Sequence, residues 1–152
     1  EALEIRRRVL GDEHPDTLNS INNMGSLLNA QGKLAEADPY SREALDGFRR
    51  VLGNEHPNTL LSMYNLGKTL VALQKWDEAQ ALCLECHERN EKRYGPDHKE
   101  TTNAINLLVE LYDAWHAVEP DAGHDATAAE WRAKLPPPAQ PAPAADSSAA
   151  GS

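Results

Sequence analysis

The sequence predicts an all-α, right-handed superhelical solenoid of stacked antiparallel helix pairs, and three observations carry that reading. One is a fixed period. Leu10-Gly11-Asp12-Glu13-His14-Pro15, Leu52-Gly53-Asn54-Glu55-His56-Pro57 and Tyr94-Gly95-Pro96-Asp97-His98-Lys99 recur with their histidines 42 residues apart. The register also holds outside the motif, pairing Thr17 with Thr59 and Thr101, Gly25 with Gly67, Leu28 with Leu70 and Glu36-Ala37 with Glu78-Ala79. A gap-free period of this size is the mark of a stack of supersecondary units. The second observation is punctuation: Gly11, Gly53 and Gly95 stand where a helix stops, and Pro15 and Pro57 suit the first turn of the next. The third is spacing, since Leu18, Ile21, Met24, Leu27 and Leu28, and again Leu60, Met63, Leu66, Leu70 and Leu73, mark apolar stripes of helical period.

The elements follow in order. Residues 1–10 read as the second helix of a truncated repeat. Residues 15–52 form a repeat whose first helix ends at Gly32 and whose second runs from about Leu34 to Leu52; Pro39, early in that helix, is expected to bend it or cost one hydrogen bond without abolishing it. Residues 57–94 repeat the pattern, the second helix running from about Trp76 to Tyr94. Residues 99–135 form an atypical capping repeat: Leu107 and Val109 replace the Asn and Gly of the earlier units, and Tyr112, Trp115 and Trp131 add aromatic surface. His116 to Asp125 read as a loop and Ala126 to Leu135 as a short last helix. The solenoid thus covers 1–135, and the Pro/Ala/Ser-rich stretch 136–152 is expected to be a disordered tail.

Composition excludes several functions. The chain has 152 residues, 15 Lys and Arg against 24 Asp and Glu, and a net charge of −9. Nucleic acid and anionic membrane surfaces call for clustered positive charge, so neither is an expected partner. The short basic runs Arg6-Arg7-Arg8 and Arg49-Arg50 each close a helix C-terminus, where the helix dipole favours them. Two cysteines make no disulfide framework, no apolar run spans a bilayer, and no leader peptide is visible. A cytoplasmic chain is expected.

Asn65-Leu66-Gly67 followed by Trp76-Asp77-Glu78-Ala79 resembles a tetratricopeptide repeat (TPR). The 42-residue period and the Leu-Gly-x-Glu-His-Pro linker are similar to the longer repeats of kinesin light chains and many bacterial proteins. The resemblance covers roughly the first 117 residues and implies a protein-interaction scaffold, which is a statement about fold more than ligand. A second resemblance lies at the end. Leu111-Tyr112-Asp113-Ala114-Trp115 with Ala128-Ala129-Glu130-Trp131-Arg132-Ala133-Lys134-Leu135-Pro136 looks like the close of repeat regions in certain bacterial serine/threonine protein kinases. No kinase signature is present in the chain itself, so it is expected to be a non-catalytic, C-terminal part of such a protein.

Candidate chemistry is sparse. Cys83-Leu84-Glu85-Cys86-His87 matches the C-x-x-C-H pattern of haem attachment. Cys83 and Cys86 also lie 42 residues after Ser41 and Ala44, small positions on the buried side of a helix, where cysteine acts as a small hydrophobe. Zinc would need two further ligands. His14, His56 and His98 occupy successive repeats, about 10 Å or more apart by helix packing, whereas zinc ligands converge to about 2 Å; they are expected to satisfy helix ends. Neither a Ser/His/Asp set nor a carboxylate pair stands out. The expectation is no cofactor, no metal and no enzyme.

By the TPR resemblance, the first helix of each pair lines a concave groove that takes an extended peptide. The groove residues implied are Asn19, Asn22, Asn23 and Ser26, then Tyr64, Asn65 and Lys68 with Leu61 and Val71, then Asn103 and Asn106 with Glu110 and Asp113. Asparagine offers a peptide backbone both a donor and an acceptor. The clamp that reads acidic C-terminal tails needs Lys and Asn on the first inner helix, Asn on the second, and Lys and Arg on the third; those positions read Asn22, Ser26, Asn65, Asn103 and Leu107 here, so only Asn65 fits. An internal peptide segment is therefore the expected ligand; the alternative is a structural spacer or self-assembly element with none. Oligomeric state is left open.

Overall fold

The computed structural model describes residues 2–137 and contains seven α-helices: α1 (Ala2–Leu10), α2 (Pro15–Ala30), α3 (Leu34–Leu52), α4 (Pro57–Ala72), α5 (Trp76–Tyr94), α6 (Lys99–Val118) and α7 (His124–Arg132). No strand occurs among the described residues. Each helix packs on its chain neighbour, and α2 also meets α4 as α4 meets α6. The backbones of α1, α3 and α5 do not approach one another among the described residues. The fold is therefore a helical solenoid, with α2, α4 and α6 drawn together on the inner side and α1, α3 and α5 spread along the outer. The proposed disordered tail lies outside the described residues beyond Pro137.

The recurring linker has a physical reason for each of its residues. Gly11, Gly53 and Gly95 adopt φ of +90°, +82° and +92°; with ψ of 169° and 167°, Gly53 and Gly95 lie in a region open essentially to glycine alone, which costs other residues about 1–3 kcal/mol. The histidine that follows caps the next helix: Nδ1 of His14, His56 and His98 accepts from the backbone N–H of Asp16, Asn58 and Glu100 at 3.1–3.2 Å. A ring nitrogen thus does what a serine or aspartate oxygen does at other N-caps. The Thr59 and Thr101 hydroxyls then donate to the Gly53 and Gly95 carbonyls at 2.7 Å, bracing the turn. The histidines satisfy helix ends, as their spacing implied.

Close approach sets the pairs. A Cβ added at Gly25 would meet Ser41 Oγ at 2.7 Å, and one at Gly67 would meet Cys83 Sγ at 3.1 Å. Those are equivalent contacts one repeat apart. Pro39 sits inside α3, which runs on through it. Three bounds differ from the sequence reading. The α6 helix continues to Val118, since nothing before Pro120 stops it and only Glu119, the residue before proline, leaves the helical region. Gly123, at φ +78°, turns the chain directly into α7 at His124, so the last helix begins two residues early and ends at Arg132.

The core falls in two parts. Leu18, Ile21, Ala44 and Phe48 form a small cluster between α2 and α3. A larger one runs from Leu45 through α4, α5 and α6 to Ala128 of α7. The far end is closed by aromatic stacking, with Trp76, Tyr112 and His124 all parallel to Trp115, which lies 4.1 Å from the His124 ring. The α7 helix covers that end as a cap. At the other end α1 buries nothing completely, and Ile5 and Val9 are exposed.

Candidate peptide groove on the inner helices

Residues at i, i+3 and i+7 form one stripe along each inner helix. They are Asn19, Asn22 and Ser26 on α2, Leu61, Tyr64 and Lys68 on α4, and Asn103, Asn106 and Glu110 on α6. These nine positions correspond row by row through the 42-residue period. Of them Leu61, Lys68, Asn106 and Glu110 are exposed, and Asn19, Ser26, Tyr64 and Asn103 are partly so. The Lys68 ammonium stands 6.0 Å from the Tyr64 ring centre. Burial pushes the Tyr64 hydroxyl pKa up, and the charges of Glu110 and Glu100 add to the shift. The middle of this surface thus has an aromatic ring and a cation, and its far end is acidic.

The structure separates three asparagines from that surface. Asn22 is 5 % exposed, and its Oδ1 accepts from Asn65 Nδ2 at 3.2 Å. Asn58 Nδ2 likewise donates to Asn19 Oδ1 at 3.4 Å, and Asn29 Nδ2 to Thr69 Oγ1 at 2.8 Å. These bonds join α2 to α4, so the Asn22 and Asn65 amides are used in holding the wall together and Asn22 is out of a ligand's reach. Asn23 is exposed for another reason. Its equivalents, Asn65 and Leu107, face the preceding inner helix; Asn23 instead lines an open depression with Leu3, Arg6 and Leu27 at the α1 end. Val71 is buried, and Asp113 accepts from Arg132 at 2.7 Å, so neither is a free groove residue.

The outer side carries an ionic ladder that sequence reasoning did not foresee. Arg7 bonds Glu43 at 2.9 Å and Arg49 bonds Glu85 at 2.8 Å, the same bridge one repeat apart. Arg42 joins Asp38 and Glu78, Lys75 joins Asp38, and Arg89 joins Glu55 and Glu85. Arg42 consequently holds the Glu78 carboxyl below its ordinary range and is itself held protonated. The arginines read as helix-dipole partners therefore also tie successive outer helices together. Recurrence of Arg7 with Arg49 and of Glu43 with Glu85 was the available signal.

The C-x-x-C-H segment lies inside α5 with both thiols in the core. Burial pushes Cys83 and Cys86 up to about 12, and Cys86 is further fixed by Asn90, whose Nδ2 lies 3.4 Å from its sulfur. His87 is buried against the Trp131 ring, centre to centre 4.9 Å. Among the described residues no group of three or more His, Cys, Asp or Glu is placed to hold a metal ion.

Comparison with known proteins agrees with this architecture. Sequence profiles described as tetratricopeptide repeat match residues 16–79 and 62–119, and another of the same description matches residues 1–16. Among solved structures, one described as kinesin light chain nearly identical TPR-like repeats, from Podosopora anserina, superposes with a TM-score of 0.65 at 23 % identity. That match covers 87 % of this chain and 61 % of the other. A search of curated proteins returns no match. The profile matches extend over more than half of the sequence, and the chain belongs to the tetratricopeptide repeat family.

Proposed function

We propose that this chain is a protein–protein interaction scaffold that holds an extended internal peptide segment along the inner face of α2, α4 and α6. The fold supports such a scaffold in general, and TPR proteins are generally non-catalytic. The observation that carries the finer reading is the row of open polar and aromatic side chains at equivalent places on three adjacent inner helices. Asn19, Ser26, Tyr64, Lys68, Asn103 and Asn106 are the contact residues in this reading. Asn22 and Asn65 stand behind them as wall supports, and Asn23 faces the depression beside α1. Amides that can donate and accept suit a peptide backbone, which has one of each per residue.

Nucleic acid is a poor partner for a chain of net charge −9, and no described helix is long and apolar enough to cross a membrane. The likeness of the ending to kinase repeat regions supports a bacterial, cytoplasmic parent in which this scaffold accompanies a serine/threonine protein kinase. The test of the groove is a peptide selected by display on the full chain. Its affinity should fall about tenfold or more in the Tyr64→Ala/Asn106→Ala double variant, the loss expected for one or two unmade contacts. Unchanged affinity with an intact fold overturns the reading.

A further inference from the structure

Residues 42 apart occupy equivalent places, so a feature of one repeat junction can be traced to the side chains that differ from the other. A pocket of about 180 Å³ lies where α4, the end of α5 and the start of α6 meet. Leu61, Tyr64 and Tyr94 form apolar walls, Asn90 is the most buried polar group and Glu100 comes from the first turn of α6. One repeat earlier the residue equivalent to Asn90 is Phe48, 1 % exposed and clustered with Leu18, the equivalent of the pocket-lining Leu60. There too Asn58, the equivalent of Glu100, donates to Asn19, the equivalent of Leu61. A glutamate has no donor for a leucine. The ring is missing and the clasp across it cannot form, so this junction stays open.

Beside the Asn58 amide and the two tyrosine hydroxyls, the pocket holds two acceptors, on Asn90 and Glu100. Asn90 is 4 % exposed, and its Nδ2 is spent on the Cys86 carbonyl at 2.8 Å. Its Oδ1 receives no hydrogen bond from a described residue, and the Glu100 carboxylate forms no ion pair among the described residues. Arg93, near the Tyr94 ring, is already bonded to the Glu55 carbonyl at 2.8 Å. Two acceptors, one of them charged, thus sit at the end of an apolar slot. The complementary group is a cation on an apolar stem.

We propose that this pocket takes a lysine or arginine side chain, its stem between Leu61 and Tyr64 and its charged end on Glu100 and Asn90. The inference rests on the groove reading only for the source of that side chain, a bound segment, and the pocket can be tested without one. The full chain, isotope-labelled, is titrated by NMR with N-acetylarginine amide and with the neutral N-acetylnorleucine amide. Arginine amide should shift Leu61, Tyr64, Asn90 and Glu100 saturably and bind about tenfold tighter than the neutral probe. Glu100→Gln should weaken it about tenfold. Asn90→Phe should abolish it by restoring the ring of the earlier junction. If Asn90→Phe does not fold, the pair Leu61→Asn and Glu100→Asn, which copies the clasp, should do the same. Equal binding of the two probes, or binding indifferent to Glu100→Gln, overturns the proposal. A chain that binds arginine amide but yields no peptide on display sinks the groove reading and leaves the pocket; a chain that binds a groove peptide but is indifferent to arginine amide does the reverse.

Discussion

Replacing Phe48 with Ala should unlock one end of the solenoid and leave the other standing. Phe48 is 1 % exposed and is the largest member of a cluster with only three other buried residues, Leu18, Ile21 and Ala44. Removing a buried phenyl ring costs about 3–5 kcal/mol. Whole small domains have about 5–15 kcal/mol in total, and in a repeat array each unit leans only on its neighbours. The loss is therefore comparable to the margin of the α1–α3 end alone. The α4–α7 part keeps fifteen of the sixteen buried residues of the larger cluster, the other being Leu45 of α3, and Phe48 is not among them. Native-state hydrogen exchange should show amides of α2 and α3 exchanging about two to three orders of magnitude faster, as 1.4 kcal/mol per factor of ten requires. Amides of α5 and α6 should change little, and urea unfolding followed by circular dichroism should split into two steps. Equal acceleration in α5 and α6, with a single transition of unchanged slope, would refute the division of the core.

Three further outcomes follow from particular residues. Gln74 occupies the place of Gly32 and is held at φ +58°, so Gln74→Gly should raise stability by about 1 kcal/mol, measured by urea titration; a loss would mean its side chain matters more than its backbone. His56→Ala should cost about 1 kcal/mol by removing the cap on α4, and His56→Asn should recover much of it; identical melting of all three would show the cap to be idle. Burial holds His87 below its ordinary value of 6.5, so the unfolded chain binds the extra proton first. Its contribution is complete above pH 6.5 and is lost as pH falls through the folded value, a slope that His87→Phe should flatten in thermal melts. Burial pushes the Asp38 carboxyl up, but Lys75 and Arg42 overcome this and hold it below 3.8. The acid loss due to Asp38 should therefore come at lower pH and survive that substitution.

Much of the fold was legible because punctuation is local. A glycine held at positive φ, a histidine that caps and a proline that starts a helix act within a few residues, and six helix bounds follow from them, the ends of α1, α3 and α5 and the starts of α2, α4 and α6. The ending was less legible because α6 runs on until Pro120, with no glycine or cap to stop it sooner. The groove was legible as a row of inner-helix positions but not residue by residue. Asn22 and Asn65 have the right chemistry for a ligand, yet two inner helices close enough to hydrogen bond use it on each other. Asn23, at the equivalent place on α2, has no preceding inner helix among the described residues. The outer ladder joins side chains 36 residues apart, which no helical period reveals. The pocket beside Asn90 was written in the repeat register, as Asn in place of Phe.

The central claim, that the inner face is the binding face, is tested most directly by hydrogen exchange of the full chain with and without a display-selected peptide at saturation. The account predicts slowed exchange around Asn19 in α2, Tyr64 in α4 and Asn106 in α6, with α3 and α5 unchanged along the Arg49–Glu85 and Arg42–Glu78 ladder. Protection confined to α3, α5 or α7, with the inner helices unaffected, would contradict it.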